Sequence, residues 1–333
     1  ILSEQVFKVR NNDYLNQKAK EIAANEFDVL HVHDSYMLRL GVRVKKLKTN
    51  AKLIYDSHEM FHEWEINMPD ASLWNRMKAM IVRRWEIIKE KNNAADIDFL
   101  ITVNNSIADR LRKYFSLKNS PLVLRNIPVL VSPSGKSNYL RTHFEIEPSK
   151  KIVVFFGNHV FAKTINMELA LQQLSHRNDV AVVIITKANI HQQAMMKFVA
   201  EKQLHNVFFH PYIPFNKSNE ILSGADVGLV PSWNKKKLSY WLGFDSKFMD
   251  YMMAEIPVLA TQQPEYKLMI EKYNLGVAVN PETENAFSKG LDELLNNYGF
   301  YVEANRKAKQ QLNWKTESEK LISWYNKNVS AYK

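Results

Sequence analysis

Short apolar runs alternate with longer segments of helical periodicity along most of the chain. In the first third the runs are Val29-Leu30-His31-Val32, Leu53-Ile54-Tyr55, Phe99 to Val103 and Leu122-Val123-Leu124. From Lys151 the rhythm sharpens into Ile152 to Phe156, Val180 to Ile185, Val207 to Phe209, Val227 to Val230, Pro257 to Ala260 and Val277 to Val279. Continuous apolar runs of this length suit strands buried on both faces, and their alternation with helices is the pattern of parallel sheets with crossover helices. The pattern predicts an α/β protein with two doubly wound units. The stretch IPVLVSPSGKSN (127–138) interrupts it with Pro, Ser and Gly and no period, which places a boundary near residue 130. The tail from about Glu282 to Tyr332 reads as helical, anchored by Trp314, Leu321, Ile322, Trp324 and Tyr325.

Length agrees with that division, since 333 residues suffice for two cores of ordinary size. No run of eighteen uncharged apolar residues suggests a membrane span. With no cysteine there is no disulfide framework, thiolate metal site or thiol nucleophile. The opening ILSEQVFKVR has neither an initiator Met nor the features of a signal peptide, so the sequence is expected to begin inside a domain. A formal charge of +10 favours an anionic partner: nucleic acid, nucleotide phosphate or an acidic membrane surface. Nucleic acid is set aside, because neither an RNA-binding motif nor a platform of aromatic residues is evident.

In open α/β sheets ligands sit outside the carboxyl ends of the strands, so the loops there carry the candidate chemistry. After the run at 152–156 comes Gly157-Asn158-His159-Val160-Phe161-Ala162-Lys163. A Gly that admits close backbone approach, followed by a Lys at a helix start, suits a diphosphate; a solvated loop with a surface Lys is the plainer alternative. There is no GxGxxG and no Walker motif, which weighs against dehydrogenases and P-loop NTPases. In GFDSKFMDYMMAEIPVLAT (243–261), Asp245 or Ser246 is expected to cap a helix. Phe248, Met249, Met252 and Met253 form its core stripe, and Asp250 lies off that stripe. His31-Val32-His33-Asp34 and Asp56-Ser57-His58-Glu59 end neighbouring strands and would share one crevice. A metal there is conceivable from the residue types, but no HExxH or histidine-triad spacing supports it and none is expected. The segment Trp74 to Lys91 mixes Trp74, Met77, Ile81, Trp85 and Ile88 with six basic residues, and reads either as a membrane-surface helix or as a packed helix with a solvated basic face.

Taken in order, FDVLHVHD (27–34), LIYDSHE (53–59), FLITVNNSIADRLRKYF (99–115), VLRNIP (123–128), VVFFGN (153–158), NVFFHPYIP (206–214), ADVGLVP (225–231), SKFMDYMMAEIPVLAT (246–261) and LNWKTESEKLISWY (312–325) resemble the bacterial glycosyltransferases of family 4, the group 1 type. The resemblance implies the GT-B architecture: an acceptor-side Rossmann-like domain over 1–130, a nucleotide-sugar-binding domain over 131–310, and a final helix over 311–333 that packs back on the first. In relatives a strand and a glycine-containing turn precede the position where this sequence begins. Carried over by position, Gly157, Asn158 and Lys163 match the diphosphate loop, and the backbone at Tyr212 and Ile213 matches the segment that receives the base. Ser246 and Lys247 match amides beneath the diphosphate, and Asp250 matches the carboxylate that holds the ribose. His33 matches the histidine beside the transferred sugar, while Asp34, Asp56, His58 and Glu59 line the acceptor side. The sequence departs from the pattern at Asn158, where many relatives have Arg, at Asp250, usually Glu, at Leu242, often a second Glu, and at Asp245-Ser246, often Pro-Asn.

The implied activity is a hexosyl transfer with retention from a nucleotide-diphosphate sugar, a UDP-sugar favoured, to a glycan or lipid-linked acceptor in bacterial surface polysaccharide or glycoconjugate synthesis. His33 and Lys163 would be the catalytic groups, with no cofactor and no metal. The implied location is cytoplasmic, peripheral at the inner face of the membrane. A sugar-nucleotide epimerase of the same fold and a catalytically degenerate binding protein are the alternatives.

Overall fold

The computed structural model describes residues 11–63, 72–131, 135–158 and 166–329. Contacts divide the chain into two units, Ile1–Arg125 with Lys320–Lys333, and Asn126–Glu319.

In the first unit β1 (Val29–His33), β2 (Lys52–Ser57), β3 (Phe99–Thr102) and β4 (Leu122–Val123) form a parallel sheet in that order. Helices Asp34–Leu47, Leu73–Asn93 and Asn105–Tyr114 make the crossovers. Apolar side chains from strands and helices, among them Leu38, Leu53, Ile54, Leu100 and Leu111, fill the core. Tyr55 is fully buried and donates its hydroxyl to Glu90 at 3.1 Å. Burial pushes the Glu90 carboxyl up to about 7 against the pull of that hydrogen bond. From the end of the chain Trp324 meets Phe99 edge to face, 4.9 Å between ring centres.

The second unit has six parallel strands: β5 (Lys151–Gly157), β6 (Val180–Thr186), β7 (Val207–Pro211), β8 (Val227–Val230), β9 (Val258–Thr261) and β10 (Gly276–Val279). Their order is β10-β9-β8-β5-β6-β7. Alternate residues of β5 feed the two faces, Ile152, Val154 and Phe156 into one core and Val153 and Phe155 into the other. All ten strand segments expected from the apolar runs are present.

The strand order reverses direction at β5, whose neighbours are β6 on one side and β8 on the other. Pairing with β6 runs from Lys151 to Gly157, but pairing with β8 stops at Val153–Val227 and Val154–Gly228. Beyond that point the strands part, which opens the crevice that doubly wound sheets use for ligands. Parting leaves strand polar groups that need partners. Tyr251, from the Ser246–Met253 helix, supplies one: its hydroxyl oxygen accepts the Phe156 N–H at 2.8 Å and its proton reaches the Leu229 carbonyl at 3.4 Å. The ring packs against Gly228, where any Cβ would overlap it. Only glycine therefore lets the tyrosine reach both strands.

Tyr251→Phe should leave the buried Phe156 N–H without a partner and cost about 1–3 kcal/mol. Gly228→Ala should cost about 1–3 kcal/mol through overpacking. Urea unfolding of the second unit measures both, and an unchanged midpoint for Tyr251→Phe would show that the hydroxyl is dispensable.

Candidate functional site

The parted ends of β5 and β8 are lined from below by the start of the Ser246–Met253 helix. Phe248, Met249, Tyr251, Met252 and Met253 bury that helix against the sheet. Its N-terminus is thereby fixed under the crevice, with Ser246 exposed. Asp245 occupies the N-cap position, yet its side chain makes no capping hydrogen bond, contrary to expectation. The carboxylate turns aside instead, accepting from the Ser232 hydroxyl at 2.7 Å and pairing with Lys247 Nζ at 2.8 Å. Burial works to raise the Asp245 carboxyl, but the Lys247 charge and these hydrogen bonds outweigh it and hold the group below the ordinary range.

Lys247 was expected to contribute its backbone amide; its side chain also reaches the crevice. The stem passes under Gly157, where a Cβ would stand 3.3 Å from Lys247 Cε, and Nζ lies 5.3 Å from the centre of the Phe155 ring. An ammonium donates three protons, and one satisfies Asp245. Among the described residues no other hydrogen-bond partner takes the rest, and an anion in the crevice could. Asp250 is half-buried three residues on, and burial pushes its carboxyl up to about 6 while Lys247 pulls the other way.

Gly157 ends β5, and exposed Asn158 follows it, its carbonyl accepting from Asn189 Nδ2 at 3.3 Å. Tyr212 stacks on Phe156, ring centres 5.7 Å apart and planes within 13°, and Lys187 Nζ lies 4.9 Å from the centre of the Tyr212 ring. Ile213 is buried in the core. Both side chains have packing roles. Lys163 lies outside the described residues.

In the first unit the period of a strand puts His31 and His33 on one face of β1, and parallel register sets His33 beside Asp56 of β2. Three imidazoles surround that carboxylate: His31 Nε2 at 3.5 Å and His33 Nδ1 at 3.3 Å from Oδ2, and His58 Nε2 at 3.5 Å from Oδ1. Burial would raise the Asp56 carboxyl, but the contacts with His31 and His58 prevail and hold it well below the usual range. Asp56 in turn raises the His58 imidazole above its ordinary value. Asp34 starts the next helix at φ 60°, a left-handed conformation that Asp tolerates better than most residues. Glu59 is exposed, and its carbonyl accepts from Ser57 Oγ at 2.8 Å. Tyr325 completes the cluster, its hydroxyl 2.8 Å from His31 Nδ1. Read in sequence Tyr325 is only an apolar anchor, since 294 positions separate it from His31. Among the described residues, His31, His33 and Asp56 form the one His/Asp group compact enough to hold a cation.

Residues 8–125 match the family described as Glycosyltransferase Family 4, and residues 150–297 match that described as Glycosyl transferases group 1. An uncharacterized glycosyltransferase of Methanocaldococcus jannaschii is 19% identical over 323 residues, 93% of this chain and 78% of that protein. Among solved structures, sucrose-phosphate synthase from Thermosynechococcus elongatus superposes with a TM-score of 0.73 at 15% identity, covering 96% of this chain and 78% of that one. Anabaena HepE in complex with UDP gives a TM-score of 0.74 at 12% identity, covering 95% and 82%.

The Asp250 carboxyl binds its proton more tightly in the folded chain than an unfolded Asp does, so its ionisation weakens the fold as pH rises from about 4 through about 6. Asp250→Asn should therefore be the more stable protein at pH 8, by about 1–3 kcal/mol, with the difference fading toward pH 4. Chemical denaturation across that range measures it, and equal midpoints throughout would show a carboxylate that stays hydrated on folding.

Proposed function

The chain belongs to the family 4, group 1 glycosyltransferases, its two parallel-sheet units are those of the GT-B fold, and on that premise we propose that it transfers a hexose from a UDP-sugar to a lipid-linked or glycan acceptor with retention of configuration. The observation that carries the donor assignment is the crevice at the β5–β8 parting, where Gly157 admits the Lys247 side chain and Asp250 stands on the same helix. A diphosphate in that crevice would meet the ammonium of Lys247 and the amides at a helix start, both suited to an anion. Asp250, reaching past it, would accept from the ribose hydroxyls. The choice of uracil draws support from Anabaena HepE, which has been captured with UDP and with UDP-glucose.

As the bond to the sugar breaks, negative charge grows on the leaving phosphate and positive charge on the sugar. Lys163 and Lys247 stabilise the first, where preorganised charge acts most strongly, so the reaction needs no metal at the phosphate. His33 is assigned to the transferred sugar, as the family pattern implies. Asp34, Asp56, His58 and Glu59 belong to the acceptor side.

The helix Leu73–Asn93 supports a membrane-borne acceptor. Trp74, Met77, Ile81, Trp85 and Ile88 recur at helical spacing as one stripe, and all are exposed, Trp74 by 72% and Trp85 by 60%. The opposite face, with Ala79, Arg83, Glu86, Ile87 and Glu90, is the one that packs. Arg83 covers the Phe61 ring at 4.0 Å, and Glu90 receives Tyr55. Charged residues thus face the protein while the apolar stripe faces out, flanked by Lys78 and Lys89 on one side and Arg84 and Lys91 on the other. An apolar stripe with basic borders matches an anionic bilayer surface, into which it inserts while the cations meet the headgroups. No helix among the described residues is long and apolar enough to cross a membrane.

Three measurements test this reading. UDP and UDP-sugars should raise the melting temperature more than GDP, ADP or their sugars, and Lys163→Ala should lower turnover by orders of magnitude in a folded protein; near-normal turnover would remove Lys163 from the phosphate site. Vesicles rich in phosphatidylglycerol should sediment the wild-type chain and, at least tenfold less, the Trp74→Glu/Trp85→Glu variant. A wild type that stays in the supernatant would end the membrane assignment.

A further inference from the structure

We propose that His31, His33 and Asp56 form a binding site for a divalent cation of the zinc class. His31 Nε2 and His33 Nδ1 stand 3.5 and 3.3 Å from the same oxygen of Asp56, beyond the usual range for an N–H···O bond. Those separations do match the edge of a coordination tetrahedron, about 3.4 Å for bonds of about 2.0–2.1 Å. The three ligand atoms all lie within 4.8 Å of one another.

A second observation concerns His31 alone. Its Nε2 is shut off from solvent and has no hydrogen-bond partner, an arrangement that is costly for a polar atom. The other ring nitrogen is held by the Tyr325 hydroxyl at 2.8 Å. When Nδ1–H donates to that oxygen, Nε2 carries the lone pair and points it at Asp56. Fixing one ring nitrogen so that the other presents its lone pair is the device that orients metal-bound histidines. His58 Nε2 stands 3.5 Å from the second oxygen of Asp56, which leaves Oδ2 to the other two imidazoles.

Donor chemistry selects the ion. Two imidazoles and one carboxylate are borderline ligands suited to zinc and its first-row neighbours, whereas calcium and magnesium prefer oxygen alone. His33 is the exposed member, with 58% of its side chain accessible, so a fourth position opens toward solvent for water or a ligand atom. A cation here would occupy His33, the residue assigned above to the sugar, and so would oppose transfer. That consequence rests on the proposed transferase function; the binding site itself does not.

The test uses the full chain, stripped with chelator and titrated with Zn2+ by calorimetry, then with Co2+ to read the coordination by visible absorption. One Zn2+ per chain is expected, with Co2+ giving the intense absorption of a four- or five-coordinate ion. Affinity should fall at least tenfold in His33→Ala, whose exposed position makes it safe for folding, and in His31→Ala. Tyr325→Phe, which keeps the ring and the three ligands, should lose about 10–100-fold. Wild-type affinity in His33→Ala, or weak binding by several ions per chain that no variant changes, would overturn the site. Since none of these readouts requires turnover, a chain that binds zinc but, stripped of the ion, transfers no sugar would refute the transferase reading and leave the cation site standing.

Discussion

The second unit depends on a tyrosine hydroxyl placed where two strands separate. A doubly wound sheet must part at its switch point to make a crevice, and parting exposes backbone groups that burial penalises. Tyr251 satisfies Phe156 on one strand and reaches Leu229 on the other, and it does so from the helix whose start forms the floor. The same contact therefore holds the crevice open and fixes the height of Ser246, Lys247 and Asp250 within it. Gly228 is the geometric condition for all of this, because the ring needs the space a Cβ would fill.

Charge in the crevice is arranged by pairing and by burial. Asp245 places a carboxylate at the mouth of the crevice, but Ser232 and Lys247 hold it to one side, and its effect is to position the ammonium. Asp250, five residues later, has no ion pair of that kind among the described residues, and burial dominates its ionisation. Two aspartates at one helix thus differ in their environments: one is paired with a cation, the other is a carboxyl whose ionic form burial disfavours. In the first unit the carboxylate of Asp56 is the centre and imidazoles are the surroundings, a reversal that suits sugar hydroxyls and divalent cations better than phosphate.

The Leu73–Asn93 helix inverts the usual arrangement of a surface helix. Its packed face uses Arg83 over Phe61 and the Tyr55–Glu90 hydrogen bond, polar contacts that substitute for an apolar seam. Such contacts free the apolar stripe for an external surface. Burial of Glu90 is the cost, visible in a carboxyl raised to about 7.

The sequence by itself determined the ten strands, because buried parallel strands require uninterrupted apolar runs and those runs survive any tertiary context. It determined the floor helix too, through the stripe from Phe248 to Met253, and the family, through motifs whose order no single loop could supply. It could not determine that Asp245 abandons its cap for Lys247 and Ser232, since propensity speaks only of neighbours in the chain and Ser232 comes from another loop. Nor could it show that Tyr251 serves two strands, that Tyr325 turns His31 toward Asp56, or which side of the Trp74 helix is buried. Those outcomes are set by side chains brought together across many residues, and long-range proximity is the information that only the folded chain contains.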